Sequence, residues 1–161
     1  MYLEILQADY SNPRHCQDLI ELLDEYARDP MGGGQPLSAF AKANLAAALA
    51  KRPDALSLLA YLDGRAVGLI NSFEGFSTFA CKPLLNIHDV MVLKDYRGQG
   101  ISRRMLERLE VIARARGCCK LTLEVLAGNQ VARQAYERYG FKGYELDPAK
   151  GQALFLEKPL R

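Results

Sequence analysis

A strand that passes into a helix across a short glycine turn is the feature that most narrows the folds open to this chain. Leu84 to Leu93 is an apolar, strand-length run. The turn Arg97-Gly98-Gln99-Gly100 follows. Ile101, Met105, Leu109 and Ile112 then recur on one face of a long helix, with Arg103, Glu107, Arg108, Glu110 and Arg114 largely on the others. Gly117 stops that helix at its C′ position. Lys120 to Leu126 is strand-like again, Asn129 to Tyr139 is helical, and Gly140 ends that helix in the same way. Strand–helix–strand order of this kind requires crossovers, with helices packed on the faces of a sheet.

Upstream the period changes. Leu56 to Leu62 and Ala66 to Phe73 flank Asp63-Gly64-Arg65, a strong hairpin signal. Asn12-Pro13 reads as an N-cap with proline at the first helical position. The helix after it carries Cys16, Leu19, Ile20, Leu23, Tyr26 and Ala27 on one stripe, and Asp29-Pro30-Met31-Gly32-Gly33-Gly34 breaks it. A second helix is predicted from near Leu37-Ser38, turning Ala41, Leu45, Ala48 and Leu49 inward and ending before Pro53. Phe141 to Leu146 and Gln152 to Glu157 read as two closing strands around the Asp147-Pro148 turn. The order β, α, α, β, β, β, α, β, α, β, β predicts an α/β (α+β) fold, a mixed sheet flanked by about four helices.

Composition narrows the function classes. The 161 residues suit one domain, 1–161, and 21 basic against 19 acidic residues leave a net charge of +2. That balance gives no basic footprint for nucleic acid. No stretch approaches the ~18–20 apolar residues of a membrane span. The segment from Met1 to Asn12 lacks the basic and apolar regions of a signal peptide, so a cytoplasmic protein is expected. Cys16, Cys81, Cys118 and Cys119 show no zinc spacing and are expected as reduced, buried thiols. With only His15 and His88 in the chain, no metal site is expected.

The turn has a chemistry of its own. The first N–H groups of a helix have no intrahelical partner, and the helix dipole places positive charge there. Gly98 and Gly100 remove the Cβ atoms that would keep an anion away, Arg97 adds a fixed cation and Ser102 a hydroxyl. These are the means to bind a pyrophosphate; the plainer reading is a tight turn that merely uses glycine. Arg103 stands where a dinucleotide fingerprint has its third glycine, and no Gly-Lys-Ser/Thr follows. Further on, Asn129, Ala132 and Tyr136 fall at i, i+3 and i+7 of a helix, on one face.

Together these two segments resemble the GNAT superfamily of acyl-CoA N-acetyltransferases, a match running from about Asn86 to Phe141. Arg97-Gly98-Gln99-Gly100-Ile101-Ser102 is similar to the family's Arg/Gln-x-x-Gly-x-Gly/Ala turn, with Ser102 where Gly or Ala is usual. Asn129, Ala132, Tyr136 and Gly140-Phe141 are similar to its Asn-x-x-Ala-x-x-x-Tyr-x-x-x-Gly-Phe helix. The resemblance implies a twisted, mostly antiparallel sheet splayed at a β-bulge, acetyl-CoA as donor with no metal, and a primary amine as acceptor. The pantetheine arm is then expected along Val90, Met91 and Val92 and the pyrophosphate at Arg97 to Ser102. Asn129, Ala132, Arg133 and Tyr136 complete the implied coenzyme contacts. The acceptor would be a small molecule or a peptide amine, and a homodimer is one expected assembly.

Aminolysis of a thioester needs a neutral amine, a donor to the oxyanion and a proton for the thiolate. The resemblance gives the oxyanion donor as the main-chain N–H of Val90. Tyr136 is the candidate acid, with core packing as the plainer role and Tyr139 as its rival. Strand alternation puts Asn86, His88 and Val90 on one face and Asp89 on the other, which makes His88 the candidate base; a half-buried structural histidine is the equal alternative. Glu74 and Asp89 are further candidates, as base or as acceptor contacts, and Glu124 a weaker base. Asp24, Glu25 and Asp29 are other carboxylates available to a cationic amine. The glycine run Gly32-Gly33-Gly34 is expected to be a mobile connection or a loop over the acceptor. Phe73, Phe76 and Phe79 are expected in the core, or else as an apolar wall or dimer contact. The rival to an enzyme is a non-catalytic CoA-binding regulatory module.

Overall fold

The computed structural model describes residues 1–144 and 147–160. In chain order its elements are β1 (Leu3–Gln7), α1 (Pro13–Arg28), α2 (Ala39–Ala50), β2 (Ala55–Leu62), β3 (Arg65–Ser77), β4 (Lys82–Val92), α3 (Ile101–Ala115), β5 (Leu121–Leu123) and α4 (Gln130–Tyr139). The strands form one sheet in the order β1-β2-β3-β4-β5. Its pairs are antiparallel except the last, where the α3 crossover makes β4 and β5 parallel. The mixed sheet with four helices is the architecture expected. By internal contacts the chain divides into two compact units, Met1–Glu124 and Val125–Arg161.

Local chemistry sets the element ends. Asn12 accepts from the N–H groups of Arg14 (2.9 Å) and His15 (3.3 Å), and Pro13 opens α1 without an orphan donor. Asp63 (φ 50°) and Gly64 (φ 83°) form the two-residue loop between β2 and β3, both in the left-handed region that a type I′ hairpin demands. In the first unit α1 and α2 cover one sheet face, packing Leu19, Leu22 and Leu49 against Leu59, Tyr61, Leu69 and Met91. Helix α3 covers the other through Met105 and Leu109. Gly68 permits that approach, since a Cβ there would stand 3.0 Å from Met105 Cε.

Several expectations are corrected. No strand forms among the described residues of 141–144 and 147–160; the end of the first expected strand, Glu145 and Leu146, lies outside the described residues. Asp147 instead caps a short 3-10 turn at Pro148–Lys150, accepting from Ala149 N–H at 3.0 Å. A backbone bond from Ala153 N–H to Tyr144 O (3.1 Å) joins the two segments. Leu154, Phe155 and Leu156 look strand-like because they are apolar, yet all three are exposed, and a two-stranded ribbon with no face to bury is marginal. Strand β5 is shorter than Lys120 to Leu126. Cys81 and Cys119 are exposed rather than buried. Phe76 and Phe79 also stand in solvent, and only Phe73 packs against the core.

The glycine run has a defined local conformation. It winds into a 3-10 turn at Pro30–Gly32, with Gly32 N–H and Gly34 N–H both donating to Asp29 O (2.8 and 3.0 Å) and Gln35 N–H to Ala27 O (3.0 Å). Gly32 is required by space: a Cβ there would overlap the Tyr26 carbonyl.

Candidate active site

A β-bulge organises the edge of the sheet where β4 meets β5. Asn71 opposes Asp89 and Ser72 opposes Ile87, so His88 is the extra residue and two residues of β4 face one of β3. Strict alternation would separate His88 from Asp89. The bulge resets it: the His88 ring packs edge-on against Phe73 (6.0 Å between centroids), and its Nδ1 lies 3.3 Å from Asp89 Oδ1. His88 and Asp89 therefore share the α1/α2 face, and Val90 turns the other way, reversing the expected grouping.

The same bulge reorients the backbone. Before it, Leu85 N–H donates to Lys120 O (3.3 Å), toward β5; after it, Leu93 N–H donates to Val67 O (2.9 Å), toward β3. In an antiparallel ladder hydrogen-bonded pairs recur every second residue. Leu93, Met91 and Asp89 thus point their amides at β3, and Val92 and Val90 point theirs away. On that side β5 pairs only as far as Leu123, opposite Ile87. The N–H groups of Val90 and Val92 consequently lie on a strand edge that β5 has left, so the sheet opens where splaying was expected.

The turn after β4 has the conformation glycine was expected to serve. Gly98 (φ 79°) and Gly100 (φ 78°) are left-handed, and no atom lies within 4 Å of where either Cβ would stand. Gly100 is the N-cap of α3 and offers no side-chain acceptor, which leaves the helix start uncapped by protein. Gln99, Ile101 and Ser102 belong to this segment. Arg97 is held in place, as expected of a fixed cation. Its Nε donates to Val92 O at 2.9 Å, and its Nη2 lies 3.4 Å from Asp29 Oδ2. The guanidinium thereby ties the turn to the end of α1.

The carboxylates separate into groups. Burial first, and then the charges of Asp89 and Asp29, raise the pKa of the half-buried Tyr26, so it is a neutral phenol. Asp24 accepts Leu37 N–H (2.9 Å) and pairs with Arg28 and Lys42; these contacts, the backbone bond first, hold its carboxyl below the ordinary range and commit it to joining α1 and α2. Glu74 is paired with Arg116 at 3.6 Å, beyond the end of α3, so it does not join His88. Glu124 is exposed past β5. A cavity of about 440 Å³ is lined by Asp18, Glu21, Asp24, Glu25 and Arg28 of α1, but neither His88 nor Asp89 borders it. Among the described residues no cluster suits a metal ion, and no helix is long and apolar enough to cross a membrane.

In the second unit Asn129 caps α4, accepting Ala132 N–H at 3.3 Å. Arg133 reaches back to Ala127 O at 3.0 Å. Tyr136 meets Phe141 edge-on at 5.9 Å, while Tyr139 stacks on the same ring at 6.0 Å. Sequence reasoning missed Tyr10, Ser57 and Asn71, which form a buried polar line to Asp89. Their signal was present: Ser57 and Asn71 are polar residues inside otherwise apolar strands.

An opened strand edge followed by a glycine-started helix is the geometry of the site, and comparison gives the family. The model of the acetyltransferase (GNAT) family matches residues 8–141, and this chain belongs to that family, whose members use acetyl-CoA. Among curated proteins it is 43% identical over 56 residues to an uncharacterized N-acetyltransferase, YycN, of Bacillus subtilis, covering 35% of this chain and 36% of that one. It is 38% identical over 87 residues to streptothricin acetyltransferase of Streptomyces lavendulae, covering 52% and 46%. The matched stretches span less than half the length of these relatives. Its fold is that of an aminoglycoside acetyltransferase from an uncultured soil metagenomic sample, with a TM-score of 0.77 at 20% identity over the whole of both chains.

Proposed function

We propose that this chain, as one catalytic domain over residues 1–161, transfers the acetyl group of acetyl-CoA directly to a primary amine in a ternary complex. The observation that carries the reading is the open edge of β4, with the Val90 and Val92 amides turned away from β3 and an uncapped helix start close behind. The residues present fit the coenzyme, because the space beside Gly98 and Gly100 is clear of protein. Arg97 to Ser102 would hold its pyrophosphate, with Arg97 bracing the turn. Val90 to Val92 would pair with the pantetheine arm as a strand would. Asn129, Ala132, Arg133 and Tyr136 are assigned to the coenzyme by their match to the family motif.

Acetyl-CoA supplies an activated acetyl thioester. Val90 N–H donates to the carbonyl oxygen as it gains negative charge, a contribution of ~3 kcal/mol for a preorganised donor. His88 takes one proton from the acceptor ammonium, freeing the lone pair that forms the new C–N bond. Tyr136 gives its phenolic proton to the sulfur as the C–S bond breaks and recovers it from the second proton of the acetylated nitrogen. One proton is released to solvent in all. The relatives named for aminoglycosides and streptothricin favour a small-molecule amine as acceptor. Four free cysteines fit a cytoplasmic setting.

Calorimetry should detect CoA uptake by the purified protein, and a free-thiol assay over a panel of amines should detect turnover. No uptake would end the reading; uptake with no thiol release for any amine would leave a CoA-binding module. His88→Ala should lose activity chiefly toward low pH, where the acceptor is held as ammonium and most needs a base. A pH–rate profile equal to wild type would remove His88 from the role.

A further inference from the structure

A continuous line of polar side chains crosses the sheet from the β1–α1 connection to the exposed ring of His88. Tyr10 Oη lies 2.8 Å from Ser57 Oγ. Ser57 donates to Asn71 Oδ1 at 2.6 Å, and Asn71 Nδ2 donates to Asp89 Oδ2 at 3.1 Å. The other carboxylate oxygen, Oδ1, is the one 3.3 Å from His88 Nδ1. Ser57 and Asn71 are 1% and 4% exposed, so these bonds are made away from water, where an unmatched polar group is costly.

Donor counting gives every member of the line one role. A carboxylate only accepts, so Asn71 must present its NH₂ to Asp89 and its carbonyl to Ser57. Ser57 spends its single hydrogen on that carbonyl, which leaves Tyr10 O–H to donate to Ser57 Oγ. Asp89 can accept from His88 only if the imidazole carries its proton on Nδ1. The ring is also held by its edge-on contact with Phe73.

We infer that Asp89 is a positioning residue: anchored through Asn71, Ser57 and Tyr10, it holds neutral His88 as the Nδ1–H tautomer and so presents Nε2 as the proton acceptor. This deepens the proposed function, resting on the reading of His88 as the base. The bulge is what makes it feasible, since regular alternation would have put the two side chains on opposite faces.

The chain holds its own reference. Asp9 N–H donates to His15 Nδ1 at 3.0 Å, which requires the opposite tautomer, Nε2–H, in the only other histidine. Long-range ¹H–¹⁵N NMR at alkaline pH, with His15→Gln for assignment, reads both rings without substrate or coenzyme. The expected result is Nδ1–H for His88 and Nε2–H for His15. In Asp89→Asn the Asn71 amide still needs an acceptor and takes the new carbonyl, turning the new NH₂ toward His88. The tautomer should therefore switch to Nε2–H, with kcat down at least tenfold and the KM for acetyl-CoA close to wild type. An Nε2–H His88 in the wild-type protein, or an unchanged tautomer in folded Asp89→Asn, would overturn the inference. The wild-type spectrum is decisive even if the variant fails to fold. A failure to take up CoA would defeat the acetyltransferase reading and leave these spectra unaffected.

Discussion

Tyr136→Phe is expected to lower kcat at least tenfold while leaving the affinity for acetyl-CoA nearly unchanged. A tenfold loss corresponds to about 1.4 kcal/mol of barrier, the scale of one hydrogen bond to a charged leaving group. Phenols titrate near ~10 and thiols near ~8.5, so a phenol can stabilise and then protonate a departing thiolate but is not itself ionised at neutral pH. The substitution removes only the hydroxyl. The ring that meets Phe141 edge-on at 5.9 Å is retained, so α4 should keep its packing. Tyr139 stacks on the same Phe141 ring, and Tyr139→Phe is the matched control, expected to behave as wild type. Steady-state kinetics at saturating amine decides the matter: wild-type turnover in Tyr136→Phe would remove it as the acid.

Gly100→Ala should weaken CoA binding on the order of tenfold in calorimetry, in a variant that remains folded. Two effects combine. Gly100 sits at φ 78°, where a Cβ costs ~1–2 kcal/mol, visible as a lowered Tm. The added methyl meets no protein atom within 4 Å, so its steric effect falls on whatever approaches the start of α3. If a pyrophosphate is held there by main-chain N–H groups, the methyl stands in its way. Unchanged affinity in a folded Gly100→Ala protein would take the turn out of coenzyme binding.

Parts of the fold that depend on a few consecutive residues could be read directly. Asn12-Pro13 caps α1, Asp63-Gly64 makes the two-residue hairpin, and Gly140 ends α4 in a left-handed conformation. The strand–turn–helix from β4 to α3 was equally plain, because positive φ at Gly98 and Gly100 is a local backbone requirement. For the same reason the two family motifs were visible: each lies within one turn or one helix.

The arrangement of the candidate site was not legible in this way. Alternation along β4 placed Asp89 opposite His88, yet the structure puts them together, because a bulge arises from the register between two strands and has no mark on one strand alone. Arg97 was expected as a fixed cation, but the residue that fixes it, Asp29, lies far away in sequence. Leu154 to Leu156 had strand character but gained no strand, since β structure needs a partner edge that composition does not supply. Tyr10, Ser57 and Asn71 come from three separate segments and acquire a common purpose only through their hydrogen bonds. Caps, turns and helix faces follow from neighbouring residues through backbone sterics, whereas strand register and a buried hydrogen-bond line are set by segments meeting across the sheet.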